Sequence, residues 1–209
     1  MKSISSFTHT VARSVIRARF SILTIALTYI AFIILGIVLT HMGNLFALKV
    51  RDQLVSKAVQ QDPAAIASNK GDNLQAALLD FGGNLMLGAL PKTVSGMAVI
   101  PAYPLLAYQG WVGGIVSVRD DHSSRPNHFR SAVYYLLTIL LQITRYSLAV
   151  GAGVNIGIAM FRPLSYYQGD KWLGMIPKEA LRDVGRIYTL VIPIFLFASL
   201  WEFLSPWNL

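Results

Sequence analysis

Residues 74–118 read LQAALLDFGGNLMLGALPKTVSGMAVIPAYPLLAYQGWVGGIVSV. About 20 apolar residues make one membrane-spanning helix, so this stretch has room for two, with Pro91-Lys92-Thr93 as the place to turn. It reads as a membrane hairpin. Asp80, Asn84 and Gln109, together with Gly82, Gly83, Gly88, Gly96, Gly110, Gly113 and Gly114, gain nothing from lipid, so they are expected to face other protein.

Composition agrees with that reading. The chain is 209 residues long, 54% hydrophobic and only 13% charged, which is the balance of a polytopic all-α membrane protein. Its net charge of +8 is spread over short segments that flank apolar runs. That pattern suits an anionic membrane surface, and no contiguous basic face suggests nucleic acid as a partner. With no cysteine, disulfides and thiolate metal sites are excluded.

Outward from the hairpin, one membrane domain covers 1–209. Residues 1–19 carry Phe7, Val11 and Val15 on one row and His9, Arg13 and Arg17 on another, which predicts a basic amphipathic helix in the headgroup plane, with Arg13, Arg17 and Arg19 at the membrane surface. Residues 20–42 form a first span, too long for the apolar core of a signal peptide. The basic residues before it predict a cytoplasmic N-terminus. Residues 43–73 form an outer loop with a second amphipathic helix ending before Pro63, and 74–209 form a four-span core. Residues 74–90 and 94–118 are spans two and three, 131–161 an overlong span four with a break expected at Gly151 or Gly153, and 187–207 span five. Arg162, Lys171, Lys178, Arg182 and Arg186 place the loop before span five inside. The helix opened by Pro177 is expected to be short and interfacial.

Chemistry is expected where charge is buried. At 1.5 Å per residue, Asp80, Gln109, Arg145 and Glu202 all fall about 8–13 Å below the outer boundary. They can meet there, with Asn84 beside them, and Arg145 is expected to pair with Asp80 or Glu202. Such a cluster serves either as a bridge that fixes helix register or as a relay for ions. Gly110 with Gly114 and Gly153 with Gly157 have the G-x-x-x-G spacing that lets helices approach closely, with spans three and four as the expected pair or an oligomer as the alternative. No histidine lies mid-span, so no intramembrane metal site is expected, and Asp120, Asp121, His122 and His128 read as a solvated outer loop. No catalytic residue and no cofactor are expected. The partners expected are membrane lipids and other membrane or envelope proteins, with homo- or hetero-oligomers both open.

Three short motifs carry a resemblance. Phe81-Gly82-Gly83-Asn84, Gln109-Gly110 followed by Gly113-Gly114, and Glu202-Phe203-Leu204-Ser205-Pro206 together resemble the stage II sporulation protein M family of integral membrane proteins. The order of a single span, an outer loop and a four-span core is also similar. Where that family often carries Pro-His-Gly followed by Glu, this chain reads Gln142-Ile143-Thr144-Arg145-Tyr146-Ser147. The resemblance implies a non-enzymatic scaffold or assembly subunit in the bacterial cytoplasmic membrane; a small permease or channel-like subunit using the polar cluster is the alternative.

Overall fold

The structure, a computed structural model, describes residues 2–119, 128–162 and 164–207, and side chains from residue 7 onward. Asp120, Asp121 and His122 lie outside the described residues. Eight α-helices are described: α1 (Lys2–His41), α2 (Leu45–Gln61), α3 (Pro63–Asn69), α4 (Asn73–Gly83), α5 (Leu90–Gly96), α6 (Ala102–Val116), α7 (Phe129–Phe161) and α8 (Lys178–Leu204). A π-helical segment, Asn84–Ala89, joins α4 to α5, and a two-residue antiparallel pair, β1 (Lys171–Trp172) with β2 (Ile176–Pro177), precedes α8. The all-α class is as the composition implies.

Three helices are long and apolar enough to cross a membrane: Phe7–His41 within α1, α7 and α8. The expected count was five. At 15 residues, α6 reaches only about 22 Å, against a hydrocarbon core of about 30 Å. The other segment is divided into pieces of 11, 6 and 7 residues by its π-helical middle.

The hairpin turn also moves. Backbone stays helical through Pro91, which occupies the first turn of α5, and the chain reverses at 97–101 instead, where Val99 adopts φ 62°. Proline cannot donate to the carbonyl four residues back and would clash with it. Here the wide turn ends just before it, with Leu90 N–H donating to Leu85 O, five residues back.

The N-terminal amphipathic helix and the first span are one continuous helix of 40 residues. Residues 2–19 therefore continue the helix of the first span, and their inward row (Val11, Ser14, Ala18) is buried against the bundle. Likewise α7 passes Gly151 and Gly153 unbroken, and the helix beginning after Pro177 merges into the last span. A second helix, α2, stands where one was expected, with Val55 and Val59 of its apolar row exposed. It ends at Asp62, which caps both α2 and α3, its side chain accepting from Ala64 N–H at 2.8 Å.

Glycines decide which helices touch. A Cβ on Gly110 would stand 2.5 Å from the Tyr29 carbonyl, one on Gly114 would strike Ile33 O, and one on Gly36 would meet Trp111 O at 2.5 Å. Pairing 29 with 110 and 33 with 114 makes α1 and α6 parallel neighbours at backbone contact. Gly153 and Gly157 similarly seat the carbonyls of Thr93 in α5 and of Met97 just after it. The G-x-x-x-G pairs thus work within the chain, though the expected pairing of spans three and four with each other is replaced by α6 on α1 and α7 on α5. The core of Ile25, Tyr29, Leu106, Tyr146, Val150 and Phe195 fills the space between.

Candidate functional site

Tyr146 is the hub of the intramembrane polar groups. Its hydroxyl donates to Asn84 Oδ1 at 2.7 Å, Asn84 Nδ2 donates to Asp80 Oδ1 at 2.7 Å, and Ser199 Oγ donates to Asp80 Oδ2 at 2.6 Å. This chain of bonds ties the α4–π segment to α7 and α8. Gly88 leaves room for the hydroxyl, since a Cβ there would stand 2.9 Å from it. The face of the ring meets two cations: Lys92 Nζ lies 4.7 Å and Arg145 Cζ 5.3 Å from its centroid. Lys92 also donates to Gln109 Oε1 at 2.6 Å.

Asp80, Asn84, Gln109 and Arg145 are linked through Tyr146 and Lys92 and not through the bond expected of Arg145. Among the described residues Arg145 makes no ion pair with Asp80 or Glu202. Only 2% exposed, it lies between Tyr146 and the Phe195 ring, 4.7 Å from the latter's centroid, with Nε and Nη1 buried and unbonded. Aromatic faces attract a desolvated guanidinium by about 2 kcal/mol, while each Asp80 oxygen already accepts one bond from a neutral donor. Glu202 lines a separate cavity of about 290 Å³ with Gln142, Tyr135 and Gly113. Its carbonyl accepts the Tyr134 hydroxyl at 3.0 Å, where Tyr134 stacks on Trp201.

Sequence reasoning missed Tyr146, Lys92 and Ser199. Lys92 was assigned to an inner turn because Pro91 was read as a helix end. Replacing Tyr146 by Phe keeps the ring and its cations and removes one buried hydroxyl. A loss of about 0.5–1.5 kcal/mol is expected, measured as a lowered melting temperature in detergent, with a smaller effect of the same change in an Asn84→Ala background.

At the opposite end of the bundle a second network was also missed. Asp183 is 1% exposed. It accepts from Ser14 Oγ at 2.7 Å, Tyr167 OH at 2.9 Å and Arg186 Nη1 at 2.9 Å, and pairs with Arg17 Nε at 3.1 Å. Asn155 Nδ2 donates to the Tyr167 hydroxyl at 2.8 Å. Arg17, expected at the lipid surface, is instead turned onto this carboxylate and Glu179, while Arg13 and Arg19 remain exposed. Three acids, Asp170, Glu179 and Asp183, stand among the five basic residues of the inner segment, and nothing in the sequence marks which of them is buried.

Burial, and then the adjoining Asp183 carboxylate, push the Tyr167 phenol above its ordinary value. A phenol that holds its proton more tightly in the folded state stabilises fully below pH of about 10 and loses that contribution as pH climbs further. Melting temperature is expected to fall above that pH, and Tyr167→Phe should make the alkaline decline shallower.

Compared with protein families, curated proteins and solved structures, the chain matches none.

Proposed function

We propose that this chain is a non-enzymatic integral membrane scaffold or assembly subunit of a bacterial envelope complex. The observation that carries the reading is the Ser199–Asp80–Asn84–Tyr146 bond chain. It uses the polar groups of the membrane interior to lock three helices in register, which is the need of a rigid platform more than of a moving carrier. The resemblance of its motifs to the stage II sporulation protein M family supports the same role.

In this reading the chain crosses the cytoplasmic membrane five times with its N-terminus inside. Helical backbone from Asn73 to Gly96 runs about 36 Å, enough for one pass despite its π-helical middle. The short α6 follows α1 at backbone contact and is long enough if the turn at 97–101 sits within the headgroups. The basic residues around α1's start and α8's start favour that face as cytoplasmic.

The test is purification in mild detergent. A stoichiometric envelope protein is expected to accompany the wild type, and Asp80→Asn and Arg145→Gln should lower abundance while leaving partner per folded molecule unchanged. A wild-type chain that purifies alone would contradict the reading. One observation favours the permease alternative: among the described residues the cations Arg145 and Lys92 share the Tyr146 ring with no direct carboxylate partner, and Arg145 Nε and Nη1 are unbonded. Ion flux in proteoliposomes abolished by Arg145→Gln in a folded chain would decide for it.

A further inference from the structure

Between α2, α3 and the upper part of the α4–π segment lies a groove of about 710 Å³. Its floor is Gly83, with Leu79 and Leu87 along the helix, and Lys57, Asp62 and Asp80 supply its charge. Most helical glycines of this chain are pressed against a neighbour's backbone, but a Cβ added to Gly82 or Gly83 would meet nothing within 4 Å. Adjacent glycines disfavour a helix, so their presence here has no explanation in the packing of the chain itself. Of the two, Gly83 lines the groove and leaves its wall open. The wide π-helical turn begins at the next residue, and such turns often mark functional positions.

The groove grades from polar to apolar along the helix. Asp80 lies about 4.5 Å to one side of Gly83, toward the interfacial helices, and Leu87 about 6 Å to the other, toward the membrane interior. Leu87 is 82% exposed. That order matches a phospholipid entering from the side, headgroup beside α2 and α3 and acyl chain along the α4–π segment. The charges narrow the class. One ammonium and two carboxylates suit a headgroup holding both a phosphate and a cation, while an anionic headgroup would meet twice as much negative as positive charge. Carboxylates also accept N–H bonds from a primary ammonium, which a quaternary ammonium cannot give.

We propose that this groove binds a phospholipid with a zwitterionic, primary-amine headgroup. Its phosphate faces Lys57, its ammonium faces Asp62 and Asp80, and one acyl chain lies along Leu79 and Leu87. The site goes beyond the scaffold reading and stands or falls separately from it.

Native mass spectrometry of the full chain in mild detergent, offered equal amounts of dioleoyl phosphatidylethanolamine, phosphatidylcholine and phosphatidylglycerol, tests this. Phosphatidylethanolamine is expected to be retained roughly tenfold better than either competitor. Gly83→Leu puts a side chain into the open groove, so it should abolish that preference with melting temperature no lower than wild type. Lys57→Glu, on an exposed helix face, should also remove the preference and carries the test if Gly83→Leu fails to fold. Equal retention of the three lipids, or a preference that survives Lys57→Glu, would overturn the proposal.

Discussion

Asp183→Ala is expected to cost about 3–5 kcal/mol of folding free energy, the largest effect of any single side chain here. Three hydrogen-bond donors and one ion-paired cation on three elements converge on this carboxylate: Ser14 and the cation Arg17 from α1, Tyr167 from the turn before β1, and Arg186 from α8's own next turn. Removing it leaves the Arg17 guanidinium, with a side chain only 21% exposed, facing Arg186 with no acid between them except Glu179, and leaves the Ser14 hydroxyl its single bond to Thr10 O. Abandoning a charge's partner while the charge stays buried costs more than the pair itself contributes. Asp183→Asn keeps the shape and loses the charge, so an intermediate loss is expected. Quantifying folded protein by size-exclusion chromatography after membrane extraction, alongside thermal melting, separates the two variants. Wild-type behaviour of Asp183→Ala would show that the knot contributes nothing.

Gly153→Val and Gly114→Val form the second large prediction. Their new side chains would strike Thr93 O and Ile33 O, which are backbone atoms of neighbouring helices and cannot swing aside as a side-chain end can. Overpacking usually costs about 1–3 kcal/mol, and contact with backbone belongs at or above the top of that range. Gly113→Val is the control: it lies on the same helix as Gly114, but a Cβ there meets nothing within 4 Å. Abundance of the first two should collapse while Gly113→Val accumulates like wild type. Equal tolerance at Gly113 and Gly114 would mean that α1 and α6 are not in contact.

These residues also show what the sequence could reveal. Glycine spacing identified Gly110, Gly114, Gly153 and Gly157 as close-approach positions, because small residues at four-residue intervals form a flat strip whatever lies opposite. The identity of the opposing helix was not legible, since α1 offers only Gly36 and two ordinary residues, Tyr29 and Ile33, whose carbonyls fill the seam. Depth counting put Asp80, Gln109, Arg145 and Glu202 at one level, since rise per residue is fixed, yet Glu202 lines a different cavity from Asp80. It could not say that Arg145 would choose Tyr146 and Phe195 over a carboxylate, a choice made by side-chain direction around each helix. Lys92 was misassigned because proline is a reliable terminator only when the preceding turn is α-helical. Arg17 was read as a surface residue because its partner, Asp183, is 166 positions away in sequence and comes near only after the bundle closes.

In the five-pass topology proposed above, the two shorter apolar segments cross beside α1 and α7, and the turn at 97–101 reaches the face where α7 ends and α8 begins. The cysteine-free chain makes this directly measurable. Single cysteines at Ala98, at Ser165 between α7 and α8, and at Gln60 on α2 are all exposed positions. With a membrane-impermeant maleimide on right-side-out and inverted vesicles, Ala98→Cys is expected to label from the same face as Ser165→Cys and from the face opposite Gln60→Cys. Labelling of Ala98→Cys together with Gln60→Cys would contradict the account and leave three crossings.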